Sequence, residues 1–166
     1  MSRIGFYHLQ RSSLEQALPA LLGKALAAGH RVVVMVGSAE RVQSLDAHLW
    51  TFDAAAFLPH GAARDGSQSL QPIFLTDRDD NPNQADLLVL ADGVRSDRLD
   101  GFARCLMLFD GQDLDAVQQA RQCWKEWAAA GHALIYYQQN DRGGWQEKAR
   151  AGAEATTLPH PNSEGQ

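Results

Sequence analysis

In Arg31-Val-Val-Val-Met-Val36 a continuous β-branched run follows Arg31, with no polar residue from Val32 to Val36. A strand with one wet face alternates polar and apolar side chains, so this run reads as a strand covered on both faces. On its N-terminal side, Leu14, Leu18, Leu21, Leu22, Ala25 and Leu26 fall at helical spacing, and Gly29 suits the C-terminal cap. Ser12-x-x-Glu15 reads as a capping box for that helix, and Pro19 inside it predicts a kink or a later start. Ile4 to Leu9, further upstream, is a short apolar strand. On the C-terminal side, Gly37-Ser38 opens a second helix carrying Val42, Leu45 and Leu49.

The pattern continues along the chain. Residues 51–71, with Pro59, Gly61 and Gly66, read as an irregular crossing segment. Pro72 to Thr76 reads as a strand, and Asp77 to Gln84 as a polar loop. Asp86 to Ala91 and Arg104 to Phe109 read as buried strands, each ending in an Asp-Gly turn. Leu114 to Ala130 is a helix ending at Gly131, and Ala133 to Tyr137 is expected to be the last strand. Strands alternating with helices of this length give a single α/β domain, a largely parallel sheet flanked by helices. The expected domain is 1–150, and 151–166, poor in apolar residues, is expected to be a disordered tail.

Composition narrows the function. The 166 residues are 45% hydrophobic and 21% charged, as in ordinary globular domains. Fifteen basic against 20 acidic residues give a net charge of −5, which argues against wrapping a nucleic-acid backbone. Two cysteines, Cys105 and Cys123, make neither a disulfide framework nor a zinc cluster. No signal-peptide pattern opens the chain and no window approaches 18 apolar residues, so the expected location is cytoplasmic, with no membrane contact.

Nucleotide chemistry finds little support. No Gly-Lys-Ser/Thr follows any strand and no GxGxxG occurs, so the fold is expected to be Rossmann-like without a phosphate-binding loop, and no cofactor is expected. Asp92 and Asp110 end apolar strands as magnesium-holding acids do, but each precedes a glycine and reads as a turn residue. The six histidines show no metal-ligand spacing, and no GxSxG elbow is present. The chain reads as non-catalytic.

Two segments carry the remaining information. In the helix 114–130, Leu114, Val117, Ala120, Trp124 and Trp127 form one stripe, with Arg121 and Lys125 along its edge. An aromatic beside two cations suits an anionic group with an apolar body. In Leu45-Asp-Ala-His-Leu-Trp50 and Phe57-Leu-Pro-His60, two large aromatics flank a helix end.

In this order, these segments resemble the chi subunit family of bacterial DNA polymerase III. The matching residues are Phe6-Tyr7-His8-Leu9, Gly29-His-Arg-Val-Val-Val34, Leu45-Asp-x-x-Leu-Trp50, Phe57-Leu-Pro-His60, Gln71-Pro-Ile73, the Asn83 loop, Leu108-Phe109-Asp110 and Ala120-Arg121-x-x-Trp124-Lys125. The resemblance spans roughly residues 3–137. It implies an accessory subunit of the clamp-loader assembly that binds the acidic C-terminal tail of single-stranded-DNA-binding protein. It also implies contact with a psi subunit through a separate face in some bacteria, and with DNA only indirectly. By position, the resemblance assigns Arg121 and Lys125 to the tail's carboxylates. It assigns Trp124, Trp50 and Phe57, with Leu134 and Tyr136, to the wall of a pocket for its terminal Phe. Val117 stands where some relatives carry a further basic residue. The alternative is a degenerate nucleotide- or nucleic-acid-binding α/β domain.

Overall fold

The structure, a computed structural model, describes residues 2–53 and 58–152. In chain order the elements are β1 (Arg3–Leu9), α1 (Leu14–Ala27), β2 (Val32–Met35), α2 (Ala39–Thr51), β3 (Gly61–Ala62), β4 (Ile73–Thr76), β5 (Leu87–Leu90), β6 (Arg104–Asp110), α3 (Leu114–Ala129), β7 (Ala133–Gln139) and β8 (Trp145–Ala151). The strands form one sheet in the order β3-β4-β2-β5-β6-β1-β7-β8. All neighbours run parallel except β7 and β8. The α/β class read from the sequence is the observed one.

The β2 run explains the layering. All four of its residues are buried. Val32 and Val34 pack with Leu18 and Leu22 of α1 and with Leu45 and Leu49 of α2. Val33 and Met35 join the opposite cluster, with Ala120, Cys123 and Trp127 of α3. Alternation along a strand thus sends α1 and α2 to one face and α3 to the other.

Four local readings differ from the sequence expectation. The N-cap of α1 is Ser13, not Ser12, and the capping box closes on Gln16. α1 does not start later than its cap, as the proline allowed; it begins at Leu14 with Pro19 inside it, which has no N–H for the carbonyl of Glu15. His48 of α2 takes that role, its Nε2 lying 2.6 Å from the Glu15 oxygen. An inter-helix bond thus satisfies the acceptor that proline leaves. Residues 51–71 are not wholly irregular, because Gly61–Ala62 pairs with β4 at the sheet edge.

The chain also does not end its sheet at Tyr137. β7 continues to Gln139 and turns through Asn140, whose side chain accepts the N–H groups of Arg142 and Gly144 at 2.9 Å each. The returning β8 is anchored by Trp145, which meets Tyr7 edge-on at 4.9 Å while Tyr137 stacks on Tyr7 from the same distance. Among the described residues, no helix is long and apolar enough to cross a membrane.

Candidate functional site

In open α/β sheets ligands settle beyond the carboxyl ends of the strands, where successive connections diverge. Here α1 leads from β1 to β2 on one side, while α3 leads from β6 past β1 to β7 on the other. A cavity of about 820 Å³ lies at that place, between the loop after β1, the turn after β5 and the N-terminal half of α3.

The protein's own side chains take up the backbone donors around this cavity. Gln139 Oε1 accepts the N–H groups of Gln10, Arg11 and Ser12 at 3.0, 2.8 and 3.1 Å, and its amide donates to Ser12 Oγ at 3.1 Å. Ser13 caps α1, Ser38 caps α2, and Asp113 caps α3. Asp92, at φ 58°, accepts the Gly37 N–H and two bonds from Arg41, which also holds Glu15 at 2.7 Å. Asp110 accepts the Gln112 N–H at 2.8 Å, the turn role its Asp-Gly pair suggests. The backbone N–H groups of the β1 loop and of Gly37, and at least one first-turn N–H of each helix, therefore already have acceptors within the protein. Among the described residues, no group of three or more His, Cys, Asp or Glu side chains is placed to hold a metal. Burial raises the pKa of both Cys105 and Cys123, so neither thiol is a ready nucleophile.

A different surface gathers around α3. Trp124 is half-buried and meets Phe6 of β1 edge-on at 5.2 Å, while Trp127 lies deeper, 5.6 Å from the same ring. Tyr136 of β7 closes the other side of Trp124 at 6.4 Å. His8 continues the floor, 5.0 Å from Phe109 and 5.9 Å from Tyr136. Phe6, His8, Phe109 and Tyr136 share one face because they alternate on neighbouring parallel strands in register. Arg121 and Lys125 are exposed on the helix above them. The acid next to them, Glu126, is turned to Arg95 and Gln122. Neither cation forms an ion pair with another described residue, so both charges face outward beside the aromatic cluster.

The sequence-assigned residues are thus partly assembled. Arg121, Trp124, Lys125 and Tyr136 belong to this surface, and none of them lines the 820 Å³ cavity. Leu134 lies beneath it as a core residue, at 1% exposure. Trp50 does not belong to it. It sits on α2, whose core residues face the opposite side of the sheet from those of α3. There its half-exposed ring rests 4.2 Å from that of His60, itself buried against Asp46 at 3.1 Å. Phe57 lies outside the described residues. Leu114, placed on the apolar stripe by periodicity, is 77% exposed in the first turn of α3.

Sequence reasoning missed His8 and Phe109 as floor residues and Gln139 as the filler of the β1 loop. The Phe6-Tyr-His8 alternation could have put His8 beside Phe6 on one strand face. Nothing in Gln138-Gln139-Asn140 announces a contact with residues 127–129 positions away.

Comparison with known proteins agrees with this architecture. Residues 1–135 match the family model described as DNA polymerase III chi subunit, HolC. Over 90 residues the chain is 30% identical to a protein of Rickettsia prowazekii (strain Madrid E) named probable DNA polymerase III subunit chi, a match covering 54% of each chain. The aligned part thus spans about half the length of that relative. With the family match reaching from the first residue through β6 and α3 into β7, this chain belongs to the DNA polymerase III chi subunit family.

Proposed function

We propose that this protein is a non-catalytic accessory subunit of the replicative polymerase that captures the acidic C-terminal tail of single-stranded-DNA-binding protein on the α3 surface. The observation that carries the reading is the pair Arg121 and Lys125, without ion-pair partners among the described residues, beside the half-buried Trp124. A tail ending in an aromatic residue and a carboxylate meets both needs. Its ring is covered by Trp124 and Tyr136, and its terminal and side-chain carboxylates face the two cations. Burying a Phe ring contributes about 1.5–3 kcal/mol, and each charge-assisted bond about 1.5–3 kcal/mol. After the cost of ordering a flexible peptide, the surplus corresponds to a Kd of roughly micromolar. The overall charge of −5 does not oppose this, because screening limits distant charges to about 8 Å at physiological salt. Contacts with a psi subunit through a separate face, and with the clamp loader, implied by the resemblance, belong to the same proposal.

The test is a fluorescence anisotropy titration with a labelled acidic peptide ending in Asp-Asp-Phe, against the same peptide without the Phe. The expected result is micromolar binding that needs the Phe, weakens with salt and is lost in Arg121→Ala. Equal binding of both peptides, or unchanged affinity in Arg121→Ala, would overturn the assignment. The competing reading, a nucleotide-binding domain, predicts thermal stabilisation by ATP and magnesium; the engaged helix N-termini speak against it.

A further inference from the structure

The floor of the α3 surface contains a hydrogen-bond chain whose direction depends on one proton. His8 Nδ1 is hydrogen-bonded to the Tyr136 hydroxyl. Gln138 Nε2 donates to the same hydroxyl oxygen at 2.9 Å. The other ring nitrogen of His8, Nε2, lies against Gly111, whose backbone favours the protonated ring. With Nε2 carrying its hydrogen toward the Gly111 backbone, neutral His8 has only Nδ1 left as an acceptor. The Tyr136 hydrogen must then point inward to His8, while Gln138 occupies a lone pair of its oxygen. In this state Tyr136 has no hydrogen to offer a ligand.

Protonation reverses the chain. Nδ1 becomes a donor, Tyr136 oxygen accepts from both His8 and Gln138, and its own hydrogen turns away from them. We propose that Tyr136 and His8 form a proton-linked subsite for a ligand carboxylate beside Arg121. A carboxylate there accepts from the released Tyr136 hydrogen and offsets the charge on the imidazolium. This rests on the peptide-binding reading above and deepens it, because it assigns one acidic group of the peptide to a specific donor.

The groups around His8 pull its protonation in both directions. From β6, Asp110 favours the protonated ring; from α3, Arg121 disfavours it; from β7, Tyr136 and Gln138 present the hydroxyl and amide already described. Burial against Phe109 and the sheet disfavours it most, and the net effect holds His8 below its ordinary value, hence neutral in the free protein at neutral pH. A carboxylate bound at Arg121 cancels the opposing cation, so occupancy and protonation support each other. Tyr136 and Gln138 lie beyond residue 135, where the family match ends.

The experiment is peptide binding measured by anisotropy from pH 5.5 to 8, with the Asp-Asp-Phe peptide. Its carboxylates stay ionised across most of that range. Affinity is expected to rise as pH falls, by up to tenfold per unit, which is the limit for one linked proton. Calorimetry in buffers of different ionisation enthalpy should show proton uptake on binding. His8→Asn and Tyr136→Phe should both bind with a flat profile, and the His8 imidazole followed by NMR in the wild-type protein should titrate at higher pH once peptide is bound. A flat wild-type profile with binding still dependent on Arg121 would overturn this proposal and leave the peptide reading standing, as would a wild-type slope retained in His8→Asn. Absence of binding at every pH would overturn both.

Discussion

Replacing Gln139 by alanine removes the acceptor on which three backbone N–H groups converge at 2.8–3.1 Å. The side chain is nearly buried, at 6% exposure, and its amide also holds Ser12 Oγ. A buried donor left without a partner costs about 1–3 kcal/mol, so three fully orphaned donors would set an upper limit well above what is expected. The neighbouring cavity lined by Gln10, Arg11 and Ser12 admits water to the space vacated, which satisfies part of the loss. The expected destabilisation is therefore about 2–3 kcal/mol. For a domain of this size that shifts Tm by roughly 4–12 °C, or the urea midpoint by about 1 M at an m value near 2 kcal/mol/M. Gln139→Glu keeps an acceptor for all three donors and should stay within about 1 kcal/mol of wild type. The alanine variant should also gain stability from inorganic phosphate that wild type does not, because its three donors are then free for an anion. Urea unfolding followed by tryptophan fluorescence reads both effects. A loss below about 0.5 kcal/mol in Gln139→Ala, with no response to phosphate, would refute the claim that this side chain fills an anion cradle.

Three further outcomes follow from particular contacts. Trp50→Ala should leave the affinity for the acidic peptide within twofold of wild type, since the sheet separates it from α3; a tenfold loss by anisotropy would show that the two faces communicate. His48→Ala should cost about 1–2 kcal/mol by urea unfolding, and less in a Pro19→Ala background, where the restored N–H satisfies the Glu15 carbonyl. The Arg41 guanidinium holds the Glu15 carboxyl below the usual carboxylate range. The stability it contributes is present above the unfolded-state value and is lost as pH falls through the folded one. Arg41→Ala should therefore move the titration of Glu15, followed by NMR, to higher pH.

The sheet was legible because parallel strands buried on both faces leave unbroken apolar runs, as in Val32-Val-Val-Met35 and Leu87-Leu-Val-Leu90. The two-residue β3 left no such run, and its Gly61-Ala62 pair is too short for any period to register. β8 was missed for the opposite reason: Gln146-Glu-Lys148 is polar because it lies on an exposed edge, and only the Gly143-Gly144 turn after Tyr136-Tyr137 signals the hairpin. In the candidate site, Arg121, Trp124 and Lys125 were readable because they are neighbours on one helix. Trp50 was grouped with them by the resemblance, and sequence order carries no information about which face of the sheet a helix covers. That is settled by which parity of β2 each helix packs against. His8 and Tyr136 come together through strand register across 128 positions, a relation no local pattern encodes.

The distribution of donors explains why binding on this fold would move away from the strand ends. A doubly wound sheet offers anions its loop and helix N-terminal N–H groups, and here Gln139 and Asp92 take those of the loops while Ser13, Ser38 and Asp113 take one or two from each helix. What remains for an anion is side-chain charge on the flank of α3, where Glu126 is turned to Arg95 and, among the described residues, Arg121 and Lys125 form no ion pair. Backbone cradles select compact phosphates by close approach, whereas two long cations beside an aromatic floor suit an extended chain carrying several carboxylates and a ring. Charge on exposed side chains is also screened by salt far more than charge held in a closed crevice. A ligand of the α3 flank should accordingly bind with marked salt sensitivity, and replacing either cation by glutamine should reduce that sensitivity together with the affinity. Equal salt slopes in wild type and Arg121→Gln would mean that the ligand's charge is met elsewhere on the molecule.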